Sequence, residues 1–385
     1  MAGNIDQRGK DSYRLTVSGG YDSNGKRIYH RKTIKATSPR AAEKELAKFV
    51  AEVENGQYIT ATKQTFEEFS KFWLVTYARK NLRISTVHGY EQMLNTRILQ
   101  AIGHIPLEKL KPIHLQSFYS NLQENGIRLD GKPGGLSART VKHYHNCISS
   151  ILQSAVEWQL IRSNAANNVK TPKIEDNEAD YYTEEEVKEI LACLANEDVK
   201  YYVLYSLAIT TGLRKGELLG LEWDHIDFEK KELTVKQTSM YRHGVGIYKD
   251  VPKTKKSMRT LSLSDTEIKL LKHLKEVQTR MKEEVGDLWV EHNRLFTQWN
   301  GMPMHPNTPN NMLKKFLKKY GFPTKSFHSL RHTNITILLA NNIDFKTVIS
   351  RAGHSDGIMT INRYAHALKS KDVSASNLLE KKLFY

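Results

Sequence analysis

Cysteine is scarce in this chain: Cys147 and Cys193 are the only two in 385 residues. That count argues against a disulfide framework and fits a reducing compartment, with both thiols expected to be buried and inert. Long apolar runs are missing too. The longest, around residues 201–209 and 335–340, fall far short of the ~20 residues a bilayer-spanning helix needs. Near the amino terminus Asp6, Arg8, Lys10 and Asp11 interrupt any stretch that could serve as a secretory signal. The expectation is a soluble, cytoplasmic protein. There is no glycine-rich nucleotide-binding loop, no internal repeat and no low-complexity tract. Acid is in short supply: 42 Asp and Glu stand against 58 Lys and Arg, a net charge of +16. A field of that sign favours phosphate backbones as partners. The length leaves room for two or three domains, each with its own core.

Within residues 325–366 the only acids are Asp344 and Asp356, and the segment holds His328-Ser329-Leu330-Arg331, Gly353-His354 and Tyr364-Ala365-His366. A tyrosine has an ordinary pKa of about 10, so roughly one in a thousand is ionised at neutral pH and it needs help to attack. Neighbouring cations favour the phenolate, and an imidazole can accept its proton. An arginine fork matches the non-bridging oxygens of a phosphodiester in a way lysine cannot. These residue types together suit phosphate chemistry without a metal.

A second arginine lies upstream in Thr211-Gly212-Leu213-Arg214-Lys215-Gly216-Glu217-Leu218-Leu219. Leu218 and Leu219 suggest that Arg214 sits on a helix, with Glu217 one turn along and able to orient its guanidinium. The stretch Pro252-Lys253-Thr254-Lys255-Lys256 follows the turn-rich residues 241–246, which predicts a β-hairpin between Leu233-Thr234-Val235 and residues 252–263 that carries Lys253. Lys255 and Lys256 compete with Lys253 as the functional lysine.

Blander readings exist for each group. His328 and His332 are four apart, as in a zinc pair, but the segment between them holds Arg331 and lacks the metalloprotease glutamate. Arg214 with Glu217 could be a surface ion pair, and any one of 18 tyrosines could be packing. His366 is read as a helix-surface residue without a catalytic role.

Taken in order, Arg214, Lys253, His328-x-x-Arg331, Gly353-His354 and Tyr364 resemble the active-site set of the tyrosine recombinases, or phage integrases, over roughly residues 180–370. The resemblance implies that Tyr364 attacks the scissile phosphate to form a 3′-phosphotyrosyl link. It implies that Arg214 and Arg331 hold the non-bridging oxygens, that Lys253 protonates the leaving 5′-oxygen, and that His328 assists proton transfer. His354 would donate to the phosphate, and Glu217 would support Arg214. No cofactor or metal is expected.

The expected fold is α+β and multidomain. Residues 1–62 read as a small sheet backed by one helix: Tyr13, Leu15 and Val17 alternate, Asn24-Gly25 offers a turn, residues 27–34 form a basic strand, and Ser38-Pro39 starts a helix with Ala42, Leu46, Phe49, Val50 and Val53 on one face. Residues 63–175 read as an all-α bundle. It opens with the capping box Thr65-x-x-Glu68 and continues through helical patterns at 86–99, 111–124 and 137–158. Residues 171–178 read as a linker, and Thr183-x-x-Glu186 caps the first helix of a mixed, mainly α domain spanning 176–385 that contains a small sheet.

By resemblance the first part is an arm-type DNA-binding domain, with Arg27, Arg31 and Lys32 as contacts. The second is a core-binding domain and the third the catalytic domain. Leu378, Leu379, Leu383 and Phe384 mark a short amphipathic tail that packs either in cis or on a neighbouring protomer. The implied activity is integration or excision of a mobile element, such as a prophage or conjugative transposon. The implied assembly is a homotetramer on double-stranded DNA, with a directionality factor and a DNA-bending protein as helpers. A Xer-like resolvase, a type IB topoisomerase-like enzyme and a non-catalytic DNA-binding regulator remain as alternatives.

Overall fold

The computed structural model describes residues 3–21, 25–55, 64–175, 180–242, 244–250, 258–353, 376 and 379–384. The chain divides into two units, residues 1–175 and 176–385.

The first unit begins with an antiparallel sheet in the order β1-β2-β3: β1 (Gly3–Gly9), β2 (Ser12–Tyr21) and β3 (Arg27–Lys35). Alternation fixes the faces. Tyr13, Leu15 and Val17 of β2 are buried against helix α1 (Pro39–Glu54), which contributes Ala42 and Phe49. Each large apolar side chain buried in this way contributes about 1.5–3 kcal/mol. Ser38 caps α1, accepting from the backbone N–H of Ala41 at 3.3 Å, and Pro39 supplies a preset φ at its start. Strand β1 was not expected from the sequence. Ile5 is its one strongly apolar residue, and it forms by completing the edge of β2 in the register Ile5↔Leu15.

Residues 64–175 fold as helices around a continuous apolar cluster. Helix α2 (Phe66–Trp73) starts with the expected capping box: the Thr65 N–H donates to Glu68 Oε2 at 2.8 Å and the Glu68 N–H to Thr65 Oγ1 at 3.2 Å. It runs through a π-helical turn (Leu74–Ala78) into α3 (Arg79–Asn81). Helix α4 (Ile84–Met93) does the same through Leu94–Ile98 into α5 (Leu99–Ile102). At each wide turn a threonine hydroxyl donates to the carbonyl four residues back, Thr76 to Phe72 and Thr96 to Gln92, both at 2.7 Å. Helix α6 (Pro112–Asn121) and the long α7 (Ala138–Glu157) complete the bundle. Trp73 Nε1 reaches across to donate to Ser154 Oγ of α7 at 2.8 Å, so a buried indole satisfies its one donor. Cys147 is buried in this core, while Cys193 of the second unit is only half-buried, more accessible than its sequence suggested.

The second unit opens with α8 (Glu184–Leu194), capped by Thr183 and Glu186 as expected. Its hub is α9 (Val199–Thr211), buried along most of its length and packed by α11 (Asp265–Val285) and α13 (Phe327–Ala340). Between them come the short α10 (Lys215–Leu219), α12 (Thr308–Tyr320), and a sheet in the order β4-β5-β8: β4 (Ile226–Asp227), β5 (Glu232–Val235) and β8 (Arg259–Ser262). Helix α14 (Phe345–Ala352) follows α13.

The predicted partnership of residues 233–235 with the later stretch is present, with Leu233↔Leu261 and Val235↔Arg259. The hairpin is more elaborate than expected, because β6 (Thr238–Arg242) and β7 (Gly246–Asp250) pair as a separate ribbon inserted between β5 and β8. No helix among the described residues is long and apolar enough to cross a membrane. In the tail, Leu379, Leu383 and Phe384 are exposed, and Leu378 lies outside the described residues.

Candidate active site

Helix α9 ends at Gly212, whose φ of +63° is left-handed. A side chain here would be strained, and its Cβ would stand 2.6 Å from Asn334 Oδ1. Asn334 of α13 fills that space and donates through Nδ2 to the carbonyls of Ile209 (2.8 Å) and Thr210 (2.9 Å), satisfying helix-terminal acceptors. The chain then turns extended at Arg214, which is the N-cap of α10 and not one of its helical residues. The sequence suggested neighbours along a helix face. Instead Glu217 reaches back from the third helical position: the Arg214 N–H donates to Oε2 at 3.0 Å, and Arg214 Nη1 donates to Oε1 at 2.8 Å.

Glu217 is 2 % exposed and has a second cationic partner. Arg259, the first residue of β8, donates from Nη2 to Oε2 at 3.0 Å and from Nη1 to Oε1 at 3.4 Å. Burial pushes the Glu217 carboxyl up, but the hydrogen bond and charge of Arg259, followed by those of Arg214, more than reverse this and hold it below the usual carboxylate range.

The C-terminus of α14 gathers three arginines. A helix leaves its last carbonyls without internal partners and carries partial negative charge there. Arg259 Nε donates to the carbonyl of Arg351 at 2.6 Å, Arg331 Nη2 to that of Ala352 at 2.6 Å, and Arg214 Nη2 to that of Gly353 at 3.1 Å. Gly353 takes a φ of +64°, and a Cβ there would stand 2.7 Å from Arg259 Nη1. Backbone conformation and the packed guanidinium both call for glycine in the Gly353-His354 pair.

Arg331 lies in α13 at 1 % exposure, and its Nη1 donates to the Gly212 carbonyl at 2.7 Å. Ser326 caps this helix, placing His328 in its first turn at the exposed face. The His328 ring meets the buried His332 edge-on, centroids 4.6 Å apart. No group of three metal-ligating side chains converges among the described residues.

The structure therefore brings Arg214, Glu217 and Arg331 to one helix end, with His328 one turn before Arg331. Lys253, His354, Tyr364 and His366 lie outside the described residues. Sequence reasoning missed Arg259 and Asn334. A signal for Arg259 was present: alternation puts it on the same face of β8 as the buried Leu261, and an arginine there needs an acidic partner.

On the amino-terminal sheet the three expected contacts separate. Arg27 and Arg31 project from the face opposite α1, where the Arg27 guanidinium lies 5.8 Å from the Tyr29 ring centroid and that of Arg31 lies 6.0 Å from it. Lys32 points to the other face, 3.7 Å from Glu52 of α1 and 5.7 Å from the Phe49 ring.

Comparisons agree with this architecture. Residues 180–371 match the model of the phage integrase family, and residues 65–123 match that of the phage integrase N-terminal SAM-like domain. A tyrosine recombinase XerC-like protein of Caldanaerobacter subterraneus subsp. tengcongensis is 31% identical, covering 98% of this chain and 97% of the relative. The ICEBs1 integrase of Bacillus subtilis is 25% identical over 96% of each chain. Among solved structures, the Tn1549 transposon integrase in complex with transposon right end DNA superposes with a TM-score of 0.68 at 22% identity, covering 83% of this chain and all of that one. With its α+β architecture and these matches, the chain belongs to the phage integrase family of tyrosine recombinases.

Proposed function

We propose that the protein is a site-specific DNA recombinase of the integrase type, which cleaves and rejoins double-stranded DNA to integrate or excise a mobile element. The observation that carries this reading is the convergence of Arg214 and Arg331 on the end of α14, directly before His354, which itself lies ten residues ahead of Tyr364 in the sequence. Tyr364 attacks the scissile phosphorus, its proton passing toward His328, and the bond to the 5′-oxygen breaks as Lys253 protonates that leaving group. Arg214, Arg331 and His354 neutralise the non-bridging oxygens, and Glu217 holds Arg214. The phosphotyrosyl ester keeps the energy of the broken bond, so a partner 5′-hydroxyl reseals the strand without ATP.

In this reading residues 1–62 bind arm sites, with Arg27 and Arg31 on the open face of the sheet as contacts. Residues 63–175 bind the core site, and residues 176–385 carry the chemistry. The working form is a homotetramer on DNA in the cytoplasm, aided by a directionality factor and a bending protein. The curated relatives support a mobile element: they include the ICEBs1 integrase and a transposase from transposon Tn916 of Enterococcus faecalis, the latter 24% identical over 76% of this chain and 73% of its own. A Xer-like resolvase is the second reading, favoured by the name of the XerC-like relative. Attachment-like repeats flanking the gene would favour the integrase.

The direct test is adduct trapping. Incubation with nicked suicide DNA in EDTA should give a covalent protein–DNA species that Tyr364→Phe does not form. Tight DNA binding without any adduct would instead support a non-catalytic regulator, and relaxation of plasmids lacking recombination sites would support a topoisomerase.

A further inference from the structure

We propose that Arg259 is a positioning residue for strand cleavage: it carries the countercharge of the buried Glu217, leaving the Arg214 guanidinium cationic toward the scissile phosphate. This rests on the recombinase reading and adds to it a residue that never touches DNA.

Glu217 has one negative charge, and its two oxygens receive two guanidiniums: Arg214 on Oε1, and Arg259 on Oε2 with a longer contact to Oε1. An Arg214–Glu217 pair alone would be neutral, and a neutral pair acts on a phosphate only as a dipole. With Arg259 added the trio is +1, and the surplus charge can act at Arg214, whose side chain is 39% exposed against 7% for Arg259.

The two arginines are thus divided by solvent access, one facing outward and one sealed in. Arg259 is also fixed in place, because its Nε is held by the Arg351 carbonyl and Gly353 packs against its guanidinium without a Cβ. As the first residue of β8, in register with Val235, it anchors the strand that directly follows the segment containing Lys253. A purely structural ion pair fastening α10 to β8 would have the same contacts, so the test must read charge rather than stability.

The experiment measures single-turnover adduct formation on nicked suicide DNA, alongside core-site affinity and far-UV circular dichroism. Removing the countercharge with Arg259→Gln should slow cleavage by at least about 10-fold while affinity changes less than about 3-fold. Arg259→Lys keeps the charge while giving up the planar fork, and should cleave at least about 3-fold faster than Arg259→Gln. The decisive variant is Arg259→Gln combined with Glu217→Gln. With the carboxylate also gone, the charge of Arg214 is no longer offset, and the double variant should cleave faster than Arg259→Gln alone.

A double variant slower than the single one overturns the proposal, as does parental cleavage by Arg259→Gln or a loss in Arg259→Lys equal to that in Arg259→Gln. Should Arg259→Gln fail to fold, the other two variants still decide, because neither leaves Glu217 ionised without a second cation. In that case a double variant slower than Arg259→Lys by more than about 30-fold overturns it. Absence of adduct from the parent protein sinks the recombinase reading and this proposal with it. Adduct from the parent with any of the failures above sinks this one alone.

Discussion

Arg331 and Gly212, 119 residues apart in sequence, are joined by a 2.7 Å hydrogen bond from Nη1 to the glycine carbonyl. The same guanidinium holds the Ala352 carbonyl, so one side chain ties the end of α9 to the end of α14. Arg214, by contrast, is more exposed and sits at the start of a short helix.

That difference separates two variants that should look alike in a cleavage assay. Arg214→Ala and Arg331→Ala should each slow adduct formation by at least about 10² with DNA binding largely intact. Only Arg331→Ala should also lower thermal stability clearly, because it strips two buried carbonyls of donors at about 1–3 kcal/mol each. Differential scanning fluorimetry beside the cleavage assay reads both effects. Equal melting temperatures for the two variants would contradict the buried tie.

Acid should weaken the cluster through Glu217. Its carboxyl is held below the ordinary range in the fold. A lowered carboxylate pKa contributes stability that is fully present above the unfolded value of about 4.3 and is lost as pH falls through the folded one. Urea denaturation from pH 7 to pH 3 should therefore show the parent losing its advantage over Glu217→Gln only at the acid end. A difference that stays constant across that range would argue against the ion pairs.

The two thiols should differ in reactivity. Burial pushes the Cys147 thiol up to about 12, leaving almost no thiolate at neutral pH, whereas Cys193 is partly accessible. Alkylation of the native protein followed by peptide mass spectrometry should label Cys193 first, with Cys147 reacting only on unfolding. Simultaneous labelling would mean the helical core opens more readily than its packing implies.

Local chemistry made much of the fold legible. The boxes Thr65–Glu68 and Thr183–Glu186 and the Ser38-Pro39 start are signals confined to four residues, and each appears where the sequence put it. Strand β1 escaped because an edge strand with one strongly apolar residue draws its stability from its neighbour. The π-helical turns escaped because the apolar spacing of residues 86–99 does not distinguish them from a plain helix. At the site, Arg214, Glu217 and Arg331 could be picked out by residue type and order. The separation of Lys32 from Arg31 follows from strand alternation, which the charge grouping overlooked. Arg259 was hidden because its partner, Glu217, lies 42 residues earlier on another element.

The end of α14 has a bearing on how the protein is made. Its three carbonyls receive donors from chain positions 92, 21 and 139 residues earlier. Until the ribosome has delivered α14, none of those side chains has its acceptor there, and the three-arginine cluster cannot take shape. Contacts so distant in sequence form late. A half-finished copy therefore lacks the arginine arrangement on which the proposed chemistry depends, and on that proposal synthesis through α14 becomes a precondition for breaking DNA.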